Sequence, residues 1–125
     1  MGYETLNPAD KWDKRFLKLA AGIAEWSKDP STKVGCVVVD ENRVIIAEGY
    51  NGFPRGVQDD LRLQDRESKY PIIVHAEENA VATAARIGAR LQGCTLYATL
   101  CPCTRCARLL IQAGIHGDEV CGVHA

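Results

Sequence analysis

The chain has 125 residues, enough for one hydrophobic core and too few for two domains. Apolar residues make up 46% and charged residues 25%, ordinary for a soluble globular domain, and a formal net charge of −1 offers no broad attraction for nucleic acid or membrane. No apolar run reaches membrane-spanning length, and the start Met1-Gly2-Tyr3-Glu4 lacks a secretory pattern, so neither a membrane nor a nucleic-acid partner is expected.

Asn7-Pro8 or Asp10 can open a first helix, in which Trp12, Phe16, Leu19, Ile23 and Trp26 recur at three- and four-residue steps as one apolar face. Asp29-Pro30 closes it. Residues 34–39 and 44–47 are β-branched runs separated by Asp40-Glu41-Asn42-Arg43, which reads as an antiparallel hairpin. A long polar stretch over 51–70 follows, and loops of that length are usually functional or disordered. A second helix is expected over 76–89, with Ala80, Ala84 and Ile87 on the face that packs on the sheet. A third strand is expected over 95–100, with Tyr97 in the core. A third helix follows over 104–113, stopped by Gly114, and a fourth strand over 119–123. This order predicts a layered α/β domain with helices covering the sheet.

The most informative pattern is His75-Ala76-Glu77 followed by Pro102-Cys103-Thr104-Arg105-Cys106. It has the form H-x-E … P-C-x-x-C, the signature of zinc-dependent nucleobase deaminases. One imidazole and two thiolates hold a zinc ion by three ligands and leave its fourth tetrahedral position open. Glu77, two residues beyond the histidine, is then a proton carrier rather than a ligand. His75 and Cys103 each begin a helix, whose positive dipole end favours thiolates and anions. Cys103 and Cys106, at i and i+3, share one helix face. The bland rivals are two buried apolar cysteines or a redox C-x-x-C pair, and for Glu77 a carboxylate complementing a helix dipole, a role that Glu78 also suits. Of the six cysteines, Cys36 and Cys94 read as buried strand thiols and Cys101 as a structural thiol, so a reducing, cytoplasmic setting is expected.

From about residue 10 to residue 120 the chain resembles the cytidine deaminase superfamily, most closely its deoxycytidylate (dCMP) deaminases. Besides the metal motifs, the resemblance rests on Trp26-Ser27-Lys28-Asp29-Pro30-Ser31-Thr32-Lys33-Val34-Gly35 and Gly49-Tyr50-Asn51-Gly52-Phe53-Pro54-Arg55-Gly56. Lys69-Tyr70-Pro71 and Ile111-Gln112-Ala113-Gly114-Ile115 extend it. The family implies a single deaminase domain over 1–125, a three-layer α/β/α sandwich with a mixed sheet of four to five strands, and one catalytic zinc ion per chain. It implies hydrolysis of dCMP to dUMP and ammonia, with Glu77 catalytic and His75, Cys103 and Cys106 on the metal. Asn51, Val34 and Ala76 then belong to the base and sugar pocket, and Ser31, Thr32 and Lys33, with Lys28 nearby, to a 5′-phosphate. A homo-oligomer regulated by dCTP and dTTP through Gly52 and Arg55 is also implied. Other superfamily substrates (cytidine, CMP, tRNA adenosine, guanine, a pyrimidine antibiotic) and a non-catalytic zinc module are the alternatives.

Overall fold

The computed structural model describes residues 11–115. Helix α1 (Lys11–Ala24) is followed by strands β1 (Gly35–Val39) and β2 (Ile45–Tyr50). A 3₁₀ turn (Leu61–Gln64) and the one-turn helix α2 (Arg66–Lys69) lead to α3 (Ala76–Ile87), β3 (Thr95–Ala98) and α4 (Thr104–Gln112). Among the described residues the sheet has three strands in the order β2-β1-β3, and both pairings are antiparallel. Of the expected mixed sheet of four to five strands, the described residues thus show three, all antiparallel. Parallel pairing needs a crossover beside an existing strand, and α3 instead returns the chain to the free edge of β1 in the opposite sense. The fourth strand expected over 119–123 lies outside the described residues.

The central strand β1 is buried along its whole length and sorts its side chains by alternation. Cys36 and Val38 face one layer together with Ala47, Leu96 and Ala98, against Ala76, Ala80 and Ala84 of α3 and Leu110 of α4. Val37, Val39 and Tyr97 face the other layer, against Phe16 and Ile23 of α1. The result is a three-layer α/β/α arrangement. Tyr97 is core on its ring side, as expected, while its hydroxyl donates to Asp13 Oδ1 at 2.6 Å and ties β3 to α1.

Three local expectations are revised by packing. Helix α1 stops at Ala24, because i→i−3 bonds from Glu25, Trp26 and Ser27 tighten its last turn. Trp26 thus leaves the buried face and meets the Tyr50 ring edge-on at 6.0 Å, and Leu19 is also exposed. Ile87 is exposed, since only Ala76, Ala80 and Ala84 of α3 turn their small faces to the sheet. That face brings α3 so near β2 that a Cβ at Gly49 would collide with the backbone of Ala76 and Ala80. Close approach at Gly49 sets where the first turn of α3, and hence His75 and Glu77, stands over the sheet edge.

Candidate metal centre and active site

The polar stretch after β2 is pinned at both ends. Gly52 N–H donates to the Val74 carbonyl at 3.1 Å, and Val74 N–H donates back to the Gly52 carbonyl at 2.8 Å. This two-residue ladder fixes Asn51 and His75 side by side although 23 residues separate them in the chain. His75 is the N-cap of α3, in extended backbone conformation, and Cys103 is the N-cap of α4. Both helix starts therefore open onto the same point. Glu78 joins them: one carboxylate oxygen accepts the His75 N–H at 2.9 Å, and the other lies 3.7 Å from Arg105, between the two cysteines in sequence. The dipole-complementing residue of the sequence analysis is thus a brace across two ligand-bearing turns.

The His75, Cys103 and Cys106 ligand atoms all lie within 4.8 Å of one another. His75 Nδ1 is 3.3 Å from Cys106 Sγ and 3.7 Å from Cys103 Sγ. A tetrahedral zinc ion with bonds of about 2.3 Å to sulfur and 2.0 Å to nitrogen needs a nitrogen–sulfur separation of about 3.5 Å. The three residues fit such an ion, and His75 and Cys103 also line the adjoining cavity. Cys106 is fully buried, and its thiol pKa is pushed up by burial first and then by the Glu77 charge. A divalent cation reverses that balance, because a coordinating thiol is deprotonated outright.

Glu77 is only 4% exposed. Burial raises its carboxyl pKa above the ordinary value, a rise opposed by its own backbone N–H, by His75 and by Cys106. Among the described residues no lysine or arginine pairs with it. It lines a cavity of about 340 Å³ together with His75, Ala76 and Cys103. The same cavity receives Ser31, Thr32, Val34 and Asn51, so five of the six residues expected to meet substrate gather there with His75 and Cys103 of the metal triad. Lys33 does not: it is exposed and outside the lining. Lys28 turns away to Asp59 at 3.0 Å. Gly52 and Arg55 are also outside this cavity, and Arg55 borders a separate recess of about 300 Å³ with Pro54, Asn79, Thr83 and Arg86.

Asn51 does more than its Asn-Gly turn suggests. Its Oδ1 accepts from Val34 N–H at 2.9 Å, its Nδ2 donates to the Thr32 carbonyl at 2.9 Å, and its own carbonyl accepts from Ser27 Oγ at 2.8 Å. The side chain shapes the 32–34 segment into a cavity wall. Sequence reasoning passed over Asp29, Arg66, Lys69 and Tyr70, which complete that wall. Lys69 and Asp29 form a buried ion pair at 3.0 Å across 40 residues of sequence. The sequence signal for them is the Lys69-Tyr70-Pro71 segment, one of those that carry the family resemblance. Cys36, Cys94, Cys103 and Cys106 are free thiols, whereas Cys101, expected as a structural thiol, is disulfide-bonded. It lies past the end of β3 in an exposed turn, where strand burial no longer shields it.

An antiparallel sheet between helical layers, with an open His/Cys/Cys site and an adjacent buried glutamate, defines a zinc-site fold of the deaminase type. The family model for the cytidine and deoxycytidylate deaminase zinc-binding region matches residues 10–121, and the chain belongs to this family. It is 48% identical over 105 residues to an uncharacterized deaminase of the luxG 3′ region of Aliivibrio fischeri, covering 84% of this chain and 69% of that one. It is 45% identical over 109 residues to a probable deoxycytidylate deaminase of Caenorhabditis elegans, covering 84% of this chain and 54% of that protein. The structure of dCMP deaminase from the cyanophage S-TIM5 in complex with dCMP and dUMP superimposes with a TM-score of 0.73 at 32% identity, over 82% of this chain and 74% of that one. The chain thus spans between 54% and 69% of the length of these two curated relatives.

Proposed function

We propose that the chain is a zinc-dependent hydrolase that converts dCMP and water to dUMP and ammonia. The observation that carries this reading is the buried Glu77 carboxyl, without a lysine or arginine partner among the described residues, in the cavity that His75 and Cys103 of the ligand triad also line. Zinc, when bound, supplies Lewis acidity that lowers the pKa of a coordinated water from about 15.7 to about 7. The proton work falls to Glu77. It accepts one proton of the attacking water and passes it to the cytosine ring nitrogen. The second water proton travels by the same carboxyl to the exocyclic amine, which leaves as ammonia while the ring carbon gains a carbonyl. Burial helps here, since it raises the carboxyl pKa above the ordinary carboxylate value and so brings it closer to that of a general acid–base group.

Substrate contacts are supported by the cavity lining. Val34 and Ala76 supply apolar wall for the base. Asn51 keeps one amide hydrogen and one oxygen lone pair beyond its two backbone bonds, enough to meet sugar or base. Ser31 and Thr32 offer hydroxyls at the exposed rim. Regulation by dCTP and dTTP is proposed at the separate recess beside Arg55, because Gly52 is hydrogen-bonded directly to the residue preceding His75. A homo-oligomer, all of it one deaminase domain per chain, is supported by the apolar recess formed by Leu19, Ile23, Trp26 and Ile45 on the α1 side. Among the described residues no helix is long and apolar enough to cross a membrane. Free thiols at Cys36, Cys94, Cys103 and Cys106 favour the reducing cytoplasm, and the disulfide at Cys101 is the feature against it. Near-neutral charge speaks against a nucleic-acid substrate. Ammonia release measured side by side on dCMP, CMP, deoxycytidine and cytidine tests the reading, with dCMP expected to be the best substrate. No release from dCMP removes it, and a dCMP rate curve unmoved by dCTP removes the regulatory part.

A further inference from the structure

The cavity wall carries two cations on one turn of helix, Arg66 and Lys69, and their surroundings differ sharply. Lys69 is buried, with Nζ 3.0 Å from Asp29 Oδ1 and 3.3 Å from Ser31 Oγ, so its charge is already spent inside the protein. Arg66 is exposed, and among the described residues no carboxylate lies within salt-bridge distance of it. Its acidic neighbour Asp65 is engaged by the Ser68 hydroxyl at 2.6 Å. What holds Arg66 is Tyr70: the guanidinium donates to the phenol oxygen at 2.6 Å and sits 4.9 Å from the ring centroid. One side chain is thereby kept in a single orientation with most of its five donors unspent. It stands on the wall of the cavity that Glu77 and His75 line, beside the hydroxyls of Ser31 and Thr32.

We propose that Arg66, aligned by Tyr70, is the residue that selects a 5′-phosphorylated substrate. The inference rests on the deaminase reading of the same cavity and names the group that gives that cavity its preference for a nucleotide over a nucleoside. A guanidinium meets two phosphate oxygens at once, and a charge-assisted pair of this kind is stronger than a neutral hydrogen bond. The role expected of Lys33 passes to a residue that does line the cavity, because Lys33 is not in the lining. Arg66 acts on binding of the phosphate and touches no reacting atom.

The test is binding of dUMP and of deoxyuridine to the zinc-loaded full chain by calorimetry, for wild type, Arg66→Ala, Arg66→Lys and Tyr70→Phe. Loss of two charge-assisted hydrogen bonds predicts dUMP binding weakened about 30-fold or more in Arg66→Ala. Deoxyuridine, which carries no phosphate, is the internal control and should move less than about twofold, the scatter expected of an exposed substitution. Arg66→Lys should recover part of the dUMP affinity, and Tyr70→Phe should fall between the two. The salt dependence of dUMP binding should be shallower in Arg66→Ala, a change that a merely structural role does not produce. Equal weakening of both ligands overturns the proposal, as does a wild-type preference for dUMP that survives Arg66→Ala. Ammonia release from dCMP by wild type is read separately. Its absence removes the activity reading, while the phosphate selection still stands or falls on the dUMP comparison.

Discussion

Two buried acids line the same cavity, and the fold treats them in opposite ways. Asp29 is surrounded by donors: Lys69 Nζ at 3.0 Å, Ser31 N–H at 2.8 Å and Thr32 N–H at 3.4 Å all reach one carboxylate oxygen. Its charge is matched and fixed. Glu77 has no such partner, and burial raises its pKa instead. The difference separates a brace from a working group. A carboxylate held by a lysine and two backbone N–H groups has its lone pairs committed to the fold, whereas one whose pKa burial raises is more ready to take up a proton. Both acids are equally hidden, so burial alone does not separate the one proposed as catalytic from the other.

The comparison is sharpest where the expected effects are largest. Glu77→Gln should lower turnover by about 100- to 10,000-fold, the range for losing a general acid–base group. Zinc content, read by metal analysis, should remain at one ion per chain, because the triad does not include Glu77. A Gln variant that keeps its rate, or that loses its zinc, breaks the distinction. Asp29→Ala should act on the fold instead. Leaving Lys69 buried without its partner costs about 3–5 kcal/mol, measured by urea unfolding. If Asp29→Ala is as stable as wild type yet inactive, Asp29 belongs with the chemistry and the two acids have been assigned the wrong way round.

A smaller effect is expected from the brace between the two ligand-bearing helices. Glu78→Ala removes the acceptor of the His75 N–H and the exposed contact to Arg105, which together are worth about 1 kcal/mol as a helix cap. Zinc should then be released to a chelator several-fold faster, with Glu78→Gln close to wild type since an amide oxygen still accepts the cap bond. An unchanged release rate in Glu78→Ala means that the turns hold the ligands without help.

Much of the site was legible because its determinants are local. The spacing of His75, Glu77, Cys103 and Cys106 at two helix starts is a property of short segments, and it survives whatever the rest of the chain does. The hairpin of β1 and β2 was legible for the same reason, its β-branched runs flanking a polar turn. Errors gathered where the outcome depends on distant partners. Leu19, Trp26 and Ile87 have the periodicity of buried residues, but the three strands among the described residues do not cover these positions. Lys33 lies close to the wall in sequence and is still exposed and outside the cavity lining.

The sequence by itself determined the candidate metal triad of His75, Cys103 and Cys106 and the carboxyl of Glu77 beside it, because donor chemistry and helix-start spacing are carried by residue type over a few positions. Tertiary structure alone decided which cations serve that site. Lys28, Lys33, Arg66 and Lys69 are indistinguishable as charges in a polar stretch. Only folding sets Lys69 against Asp29, sends Lys28 to Asp59 and leaves Arg66 on the cavity wall beside Tyr70. A long side chain takes its partner from whatever the backbone brings within reach, and here that reach spans 40 residues of chain for Lys69 and 31 for Lys28.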